Sequence, residues 1–202
     1  MSGKQWRHLK PGKTALLSPK NGKNRESFAR VFNIVYYYNT FFVFLQSKYL
    51  YMTTLYLVRH GETVDNAAQI LQGQCQGQLN EKGIEQAKEV CEKMKNCDID
   101  VFISSDLKRA YDTCRIIAAP HNKDVEQTSL IRERDWGDFT GKFIPDMKDA
   151  KWPDNVETLE KMLSRARNFL TYLKVTYPDK KVLVVGHGMI NKAIQSVYYD
   201  KP

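Results

Sequence analysis

Residues 59–62 read Arg-His-Gly-Glu and stand directly behind an apolar run, Leu55–Val58. A buried strand has no packing reason to end on a guanidinium, an imidazole and a carboxylate, since each must be hydrated or paired. The pattern recurs twice. A second buried run, residues 100–105, ends in Ser104-Ser105 with Arg109 one turn further on, and a third, beginning at Lys181, ends in Gly186-His187-Gly188. Two guanidiniums and two imidazoles around one point suit a phosphoryl group. Arginine gives planar, two-pronged hydrogen bonds to phosphate oxygens. A neutral imidazole nitrogen can attack phosphorus and form a covalent intermediate, and with an ordinary pKa of about 6.5 histidine is largely unprotonated at neutral pH. The glycines beside the histidines are read as letting the backbone approach a ligand. An Asp or Glu from a loop would protonate the leaving oxygen.

These groups meet only if the strands lie side by side. The chain after Met52 alternates apolar runs with amphipathic stretches, which predicts a parallel sheet covered on both faces. Asn80 offers an N-cap to a helix with Ile84, Ala87, Val90, Cys91 and Met94 on one face. Leu107, Ala110, Cys114, Ile117 and Ala118 recur at helical spacing after the second strand. Residues 156–173 carry an apolar stripe from Leu159 to Leu173, and a last helix is expected over Met189–Tyr198. The fold class is therefore α/β, three layers α/β/α with a mostly parallel central sheet. In such sheets the ligand crevice lies beyond the carboxyl ends of the strands, where all three polar clusters fall.

The formal charge of +8 could signal nucleic acid, but its placement says otherwise. Nine Lys and Arg precede Met52 against one acid, Glu26, which accounts for the whole excess. The remaining 22 basic residues (31 less 9) balance 22 acidic ones (23 less 1). No nucleic-acid partner is expected of the neutral part. Residues 1–51 are read as a basic and aromatic extension outside the domain, arising from a reading frame extended upstream of a natural start at Met52. The alternative is that residues 31–45 act as a membrane anchor, although a spanning helix needs about 20 apolar residues. Cys75, Cys91, Cys97 and Cys114 form no CxxC pair and are read as reduced thiols of a cytoplasmic protein.

Four blocks, "LVRHGET" with Asn66 behind it, "SSDLKRAYDT", "RERDWGDFTG" and "VVGHG", resemble in order and spacing the histidine phosphatase superfamily, which includes the cofactor-dependent phosphoglycerate mutases. The resemblance runs from about Leu55 to Ser196 and implies a phosphoglycerate mutase-like fold for residues 52–202. It also implies the roles. His60 would be the nucleophile that becomes phosphohistidine, while Arg59, Arg109 and His187 would clamp the phosphoryl oxygens. Glu133 would protonate the leaving alcohol and then assist water. Asn66 and Gly188 would contribute to substrate binding, and Glu62 would be a supporting residue. No metal and no other cofactor is expected, because the arginines supply the positive charge. Trp136, Trp152 and Phe143 are read as packing groups, His8 and His121 as surface residues.

The departures from the family pattern bear on specificity. Gln76 and Gln78 stand where many relatives have Asp and Pro, and Thr140 precedes Gly141 where Glu-Gly is usual. Relatives commonly add a strand after the point where this chain stops, so the domain is read as open to C-terminal truncation. The mutases carry a longer covering insertion than the 54 positions between Glu133 and His187 allow here. An open pocket favours transfer to water, so the expected activity is hydrolysis of a small phosphorylated metabolite. Mutase-type phosphoryl transfer and a non-catalytic phospho-ligand binder are the alternatives. Substrate identity and oligomeric state stay open in the sequence.

Overall fold

The computed structural model describes residues 53–200. The extension read over residues 1–51, its suggested anchor at 31–45, the start at Met52 and the last two residues of the proposed domain all lie outside the described residues. Among those described, no helix is long and apolar enough to cross a membrane.

Four parallel strands form one sheet: β1 (Thr54–Arg59), β2 (Val101–Ser105), β3 (Val125–Thr128) and β4 (Lys181–Gly186), in the order β1-β4-β2-β3. The helices are α1 (Val64–Ala67), α2 (Glu81–Met94), α3 (Lys108–Ala118), α4 (Leu159–Thr176) and α5 (Gly188–Tyr199). Successive strand side chains point to opposite faces, and both faces are covered. Leu55, Leu57, Ile103, Val182 and Val184 pack with α4 and α5. Val58, Phe102, Leu183 and Val185 pack on the other face with α2 and α3. The α/β/α layering expected of apolar strands and amphipathic helices is therefore the observed one.

Strand β3 has no counterpart in the sequence reading. Its four residues, Val-Glu-Gln-Thr, are half-buried or exposed. It pairs only with β2, so it carries no continuous apolar run. The α2 stripe also differs from expectation, running through Gly83, Ala87, Val90 and Met94. Ile84 is 37% exposed. The Asn80 side chain does cap α2, accepting from the Gly83 amide at 2.8 Å. Helix α4 begins at Leu159, capped by Thr158, so Val156 precedes it, and Leu159 is exposed instead of buried.

Gly83 explains the shift in α2. A Cβ there would overlap the Glu62 carbonyl oxygen and lie 2.8 Å from the Glu62 nitrogen. The first turn of α2 thus lies backbone to backbone against the segment that carries the polar cluster after β1. Register does the rest: Arg59 stands abreast of Gly186, and Ser104 abreast of Val185. The His60 amide extends the ladder with a bond of 3.1 Å to Gly186 O. The three polar strand ends are thereby neighbours.

Gly83→Ala tests the close approach, because two effects of opposite sign compete. Helix propensity alone would favour alanine by about 1 kcal/mol. Overpacking against the Glu62 backbone should outweigh this and leave a net loss of about 1–3 kcal/mol. A urea midpoint that falls at unchanged slope is the expected result; a raised midpoint would contradict the packing.

Candidate active site

His60 follows β1 and is 8% exposed. Its Nδ1 lies 2.7 Å from Gly61 O. A carbonyl can only accept, so Nδ1 carries the proton and Nε2 presents its lone pair. That lone pair accepts from Arg109 Nε at 3.2 Å. Thr113 joins the two segments: its hydroxyl accepts from the Gly61 amide at 3.1 Å and donates to Arg109 O at 2.8 Å. Burial, with Arg109 and then Arg59 adding positive charge, lowers the His60 pKa to about 3, opposed only by the Gly61 carbonyl. His60 is neutral in any ordinary buffer.

His187, the residue that precedes α5, is fully buried. Its ring lies 5.0 Å from the His60 ring, centroid to centroid, inclined by 60°. Neither of its nitrogens has a hydrogen-bond partner. Burial, then His60 and Arg109, hold its pKa well below the ordinary value. Buried polar atoms without partners are rare in native structures and call for an explanation. A ligand bound beside the two rings would supply one.

Arg109 is 1% exposed. Besides His60, it donates through Nη2 to Gly73 O at 2.7 Å, and through Nη1 to Cys75 O and to Gln76 O, the latter at 3.4 Å. Burial pulls its pKa down to about 10, which still leaves it cationic at neutral pH. Arg59 stands at the exposed rim.

Glu133 lies at the first turn of α5. Its carboxylate accepts from the amides of Met189 at 3.1 Å, Ile190 at 3.3 Å and Arg134 at 2.8 Å. A helix N-terminus is a natural seat for negative charge. Gly188 joins this group to the rest. A Cβ built on it would lie 3.6 Å from Glu133 Oε2 and 3.7 Å from Arg59 Nε. The structure therefore gathers His60, His187, Arg109, Arg59, Glu133 and Gly188 at the carboxyl ends of β1 and β4.

Asn66 lies on α1, where its side chain has a local partner. Its Oδ1 accepts from the Thr63 amide at 3.4 Å, in a capping box that closes α1. Glu62 faces α2 and accepts from Asn80 Nδ2 and Lys82 Nζ, both at 2.9 Å, as suits a supporting residue. The glycines need correction. Gly61 is a close approach to Gly83, and Gly186 abuts the Asn191 side chain, so both serve packing; only Gly188 borders the charged groups. His121 is half-buried, its ring packed 5.0 Å from Phe102. Trp136 and Trp152 pack on each other at 5.7 Å and flank the Arg134 guanidinium. Phe143, read as a packing group, is 43% exposed.

Several participants have no signal in the motifs. Arg165 on α4 donates to Glu133 O at 3.3 Å, and Gln74 Nε2 donates to the same oxygen at 3.1 Å. Gln76, standing where relatives have Asp, accepts from the Lys108 amide at 2.8 Å and caps α3. Helix α3 has no side-chain cap from its own N-cap residue, so Gln76 supplies one from the neighbouring loop.

The model of the histidine phosphatase superfamily, branch 1, matches residues 55–202. The uncharacterized phosphatase PhoE of Bacillus subtilis is 38% identical over 141 residues, covering 68% of this chain and 72% of its own. A protein of Arabidopsis thaliana named metal-independent phosphoserine phosphatase is 32% identical, covering 71% of this chain and 67% of its own. Among solved structures, the mycobacterial glucosyl-3-phosphoglycerate phosphatase in complex with VO3 superposes with a TM-score of 0.68. It is 27% identical, over 72% of this chain and 81% of the other. Sequence blocks, strand order and family match converge: the chain belongs to branch 1 of the histidine phosphatase superfamily.

Proposed function

We propose that this protein hydrolyses a small phosphomonoester through a phosphohistidine at His60, without a metal. The observation that carries the reading is the buried pair of neutral imidazoles. One has a directed lone pair and the other has two unpartnered nitrogens, with Arg109 against them. Nε2 of His60 attacks phosphorus while the ester P–O bond breaks. Arg59, Arg109 and His187 hold the non-bridging oxygens as charge shifts onto them. Gly188, and the Asn66 amide group beyond its cap, contribute substrate contacts. Glu133 gives its proton to the leaving oxygen, then takes one from the water that attacks phosphorus and breaks the P–N bond.

Hydrolysis is favoured over transfer to a second substrate by the lack of cover. Between Glu133 and α4 lie only two short 3-10 turns, Gly137–Phe139 and Ile144–Met147. Arg59 is open to solvent at the rim, so water reaches the phosphoenzyme. Two of the relatives named above are by name phosphatases of phosphoserine and of glucosyl-3-phosphoglycerate, and this supports a small phosphorylated metabolite as the substrate class here. Four unpaired thiols support a cytoplasmic location.

Two experiments test the reading. Brief exposure to a radiolabelled aryl phosphate followed by alkaline denaturation should trap phosphohistidine. His60→Ala should abolish both trapping and turnover, a loss on the order of 10³-fold or more; full activity in that variant would end the assignment. The pH profile is the second test. His60 must be unprotonated to attack, and its pKa is lowered to about 3. As pH drops, kcat/KM should therefore lose nothing to an imidazole near pH 6.5. The acid limb should instead follow the second ionisation of the substrate phosphate, about 6, and move when the substrate changes. A limb fixed near 6.5 for all substrates would show that His60 titrates normally.

A further inference from the structure

Glu133 sits in a stretch, residues 132–136, that belongs to no helix or strand. Its place at the neck of α5 is not inherited from a regular element, and its backbone groups need partners from elsewhere. We propose that Arg165, locked by Glu157, is the positioning residue that sets the aim of Glu133. The inference rests on Glu133 being the proton donor of the reading above.

A guanidinium is a rigid fork with five N–H donors, and Arg165 uses all five. Nη1 donates to the carbonyls of Leu130 and Arg132, each at 2.9 Å. Nη2 donates to Glu133 O at 3.3 Å. The Glu157 carboxylate takes the remaining two, from Nε and Nη2, both at 2.7 Å. Three carbonyls from residues 130–133 thus face one cation. Glu157 grips the other flank: its Oε2 accepts from the Asp135 amide at 3.2 Å and its carbonyl from Arg134 Nε at 2.8 Å. Its own amide donates to Asp135 O at 2.8 Å. The chain is held on both sides of Glu133, and the Glu133 carboxylate is left to α5.

The two side chains are 21% and 10% exposed. A buried ion pair is weak evidence for stability by itself. What this one supplies is direction, which a lysine could not reproduce, since an ammonium has no planar fork. Arg165 adds to the positive field at His187, so it stands beside the site without touching a reacting atom.

A proton donor matters most when the leaving oxygen is a poor one. Phenyl phosphate expels a phenol of pKa about 10, whereas 2,4-dinitrophenyl phosphate expels a far more acidic one that needs no proton. The full chain and its variants Arg165→Met, Glu157→Gln and Glu133→Gln would be compared by kcat/KM on both substrates. Each variant is expected to lose on the order of 10²-fold on phenyl phosphate and much less on the dinitrophenyl ester. Adding Glu133→Gln to Arg165→Met should cost little more. Equal losses on both substrates, or none, in the Arg165 and Glu157 variants would overturn the positioning role while Glu133→Gln still discriminates. Failure of Glu133→Gln itself to discriminate would overturn the proton-donor reading, and the inference with it. Should Arg165→Met fail to fold by circular dichroism, Glu157→Gln decides alone, because it keeps the volume while removing the charge and one of the two acceptor oxygens that grip Arg165.

Discussion

The burial of the Arg109 guanidinium constrains the surroundings of the site more than any other interaction. A charge removed from water is costly unless hydrogen bonds answer it on all sides. Only His60 answers it with a side chain; the other partners are the carbonyls of Gly73, Cys75 and Gln76. For three carbonyls of one short loop to face inward, the loop must reverse tightly. Gly73 and Gly77 make this possible with φ of +52° and +65°, a region that side chains disfavour. Space at Gly77 is short as well, since a Cβ there would lie 3.2 Å from Arg109 Cδ. The loop over residues 73–77 is shaped around the cation it encloses.

Arg165 solves a second problem by the same means. Irregular segments close to the core carry backbone oxygens that no helix or strand satisfies. One guanidinium collects those of Gly73, Cys75 and Gln76, and another collects those of Leu130, Arg132 and Glu133. The first segment surrounds a phosphate-binding candidate and the second carries the proton-donor candidate. Both loops are ordered by planar cations fixed to helices, Arg109 on α3 and Arg165 on α4, and the helices are in turn held by the two apolar layers. Rigidity thus passes from core packing to loop geometry through hydrogen bonds and not through apolar contact.

This arrangement explains what the sequence could and could not reveal. Strands β1, β2 and β4 were legible because burial on both faces demands unbroken apolar runs, so a cluster of charges at their ends stood out. Strand β3, an edge of four residues with Glu126 and Gln127 at its centre, meets no such demand. The gathering of His60, His187 and Arg109 followed from strand ends alone. Carbonyl partners did not, because every residue has one and no residue type announces its use. Arg165, inside α4, and Glu157, just before it, carry no motif of their own, and only the loop packed against them gives them work. Gly83 left no trace in the apolar periodicity because its contribution is the missing side chain. The glycines beside the histidines were visible but misassigned, since sequence does not say whether a close approach is to a ligand or to a neighbouring helix.

Charge balance joins the buried cation to the chemistry proposed. Burial is the main reason that both histidine pKa values are driven down, and neighbouring positive charge, including Arg109 and Arg59, adds to it. A nucleophile needs its lone pair free, and that is the state that burial, reinforced by Arg109, favours at His60. A bound phosphoryl dianion changes the sign of the local field. In the mechanism proposed it would offset the guanidinium charge and offer acceptor oxygens beside His187, whose nitrogens are otherwise unpartnered. Attack consumes the His60 lone pair and moves charge onto those oxygens, where the cations already stand. In the mechanism proposed, the cations that reinforce the effect of burial on His60 before substrate arrives are also those that would stabilise the transition state afterwards.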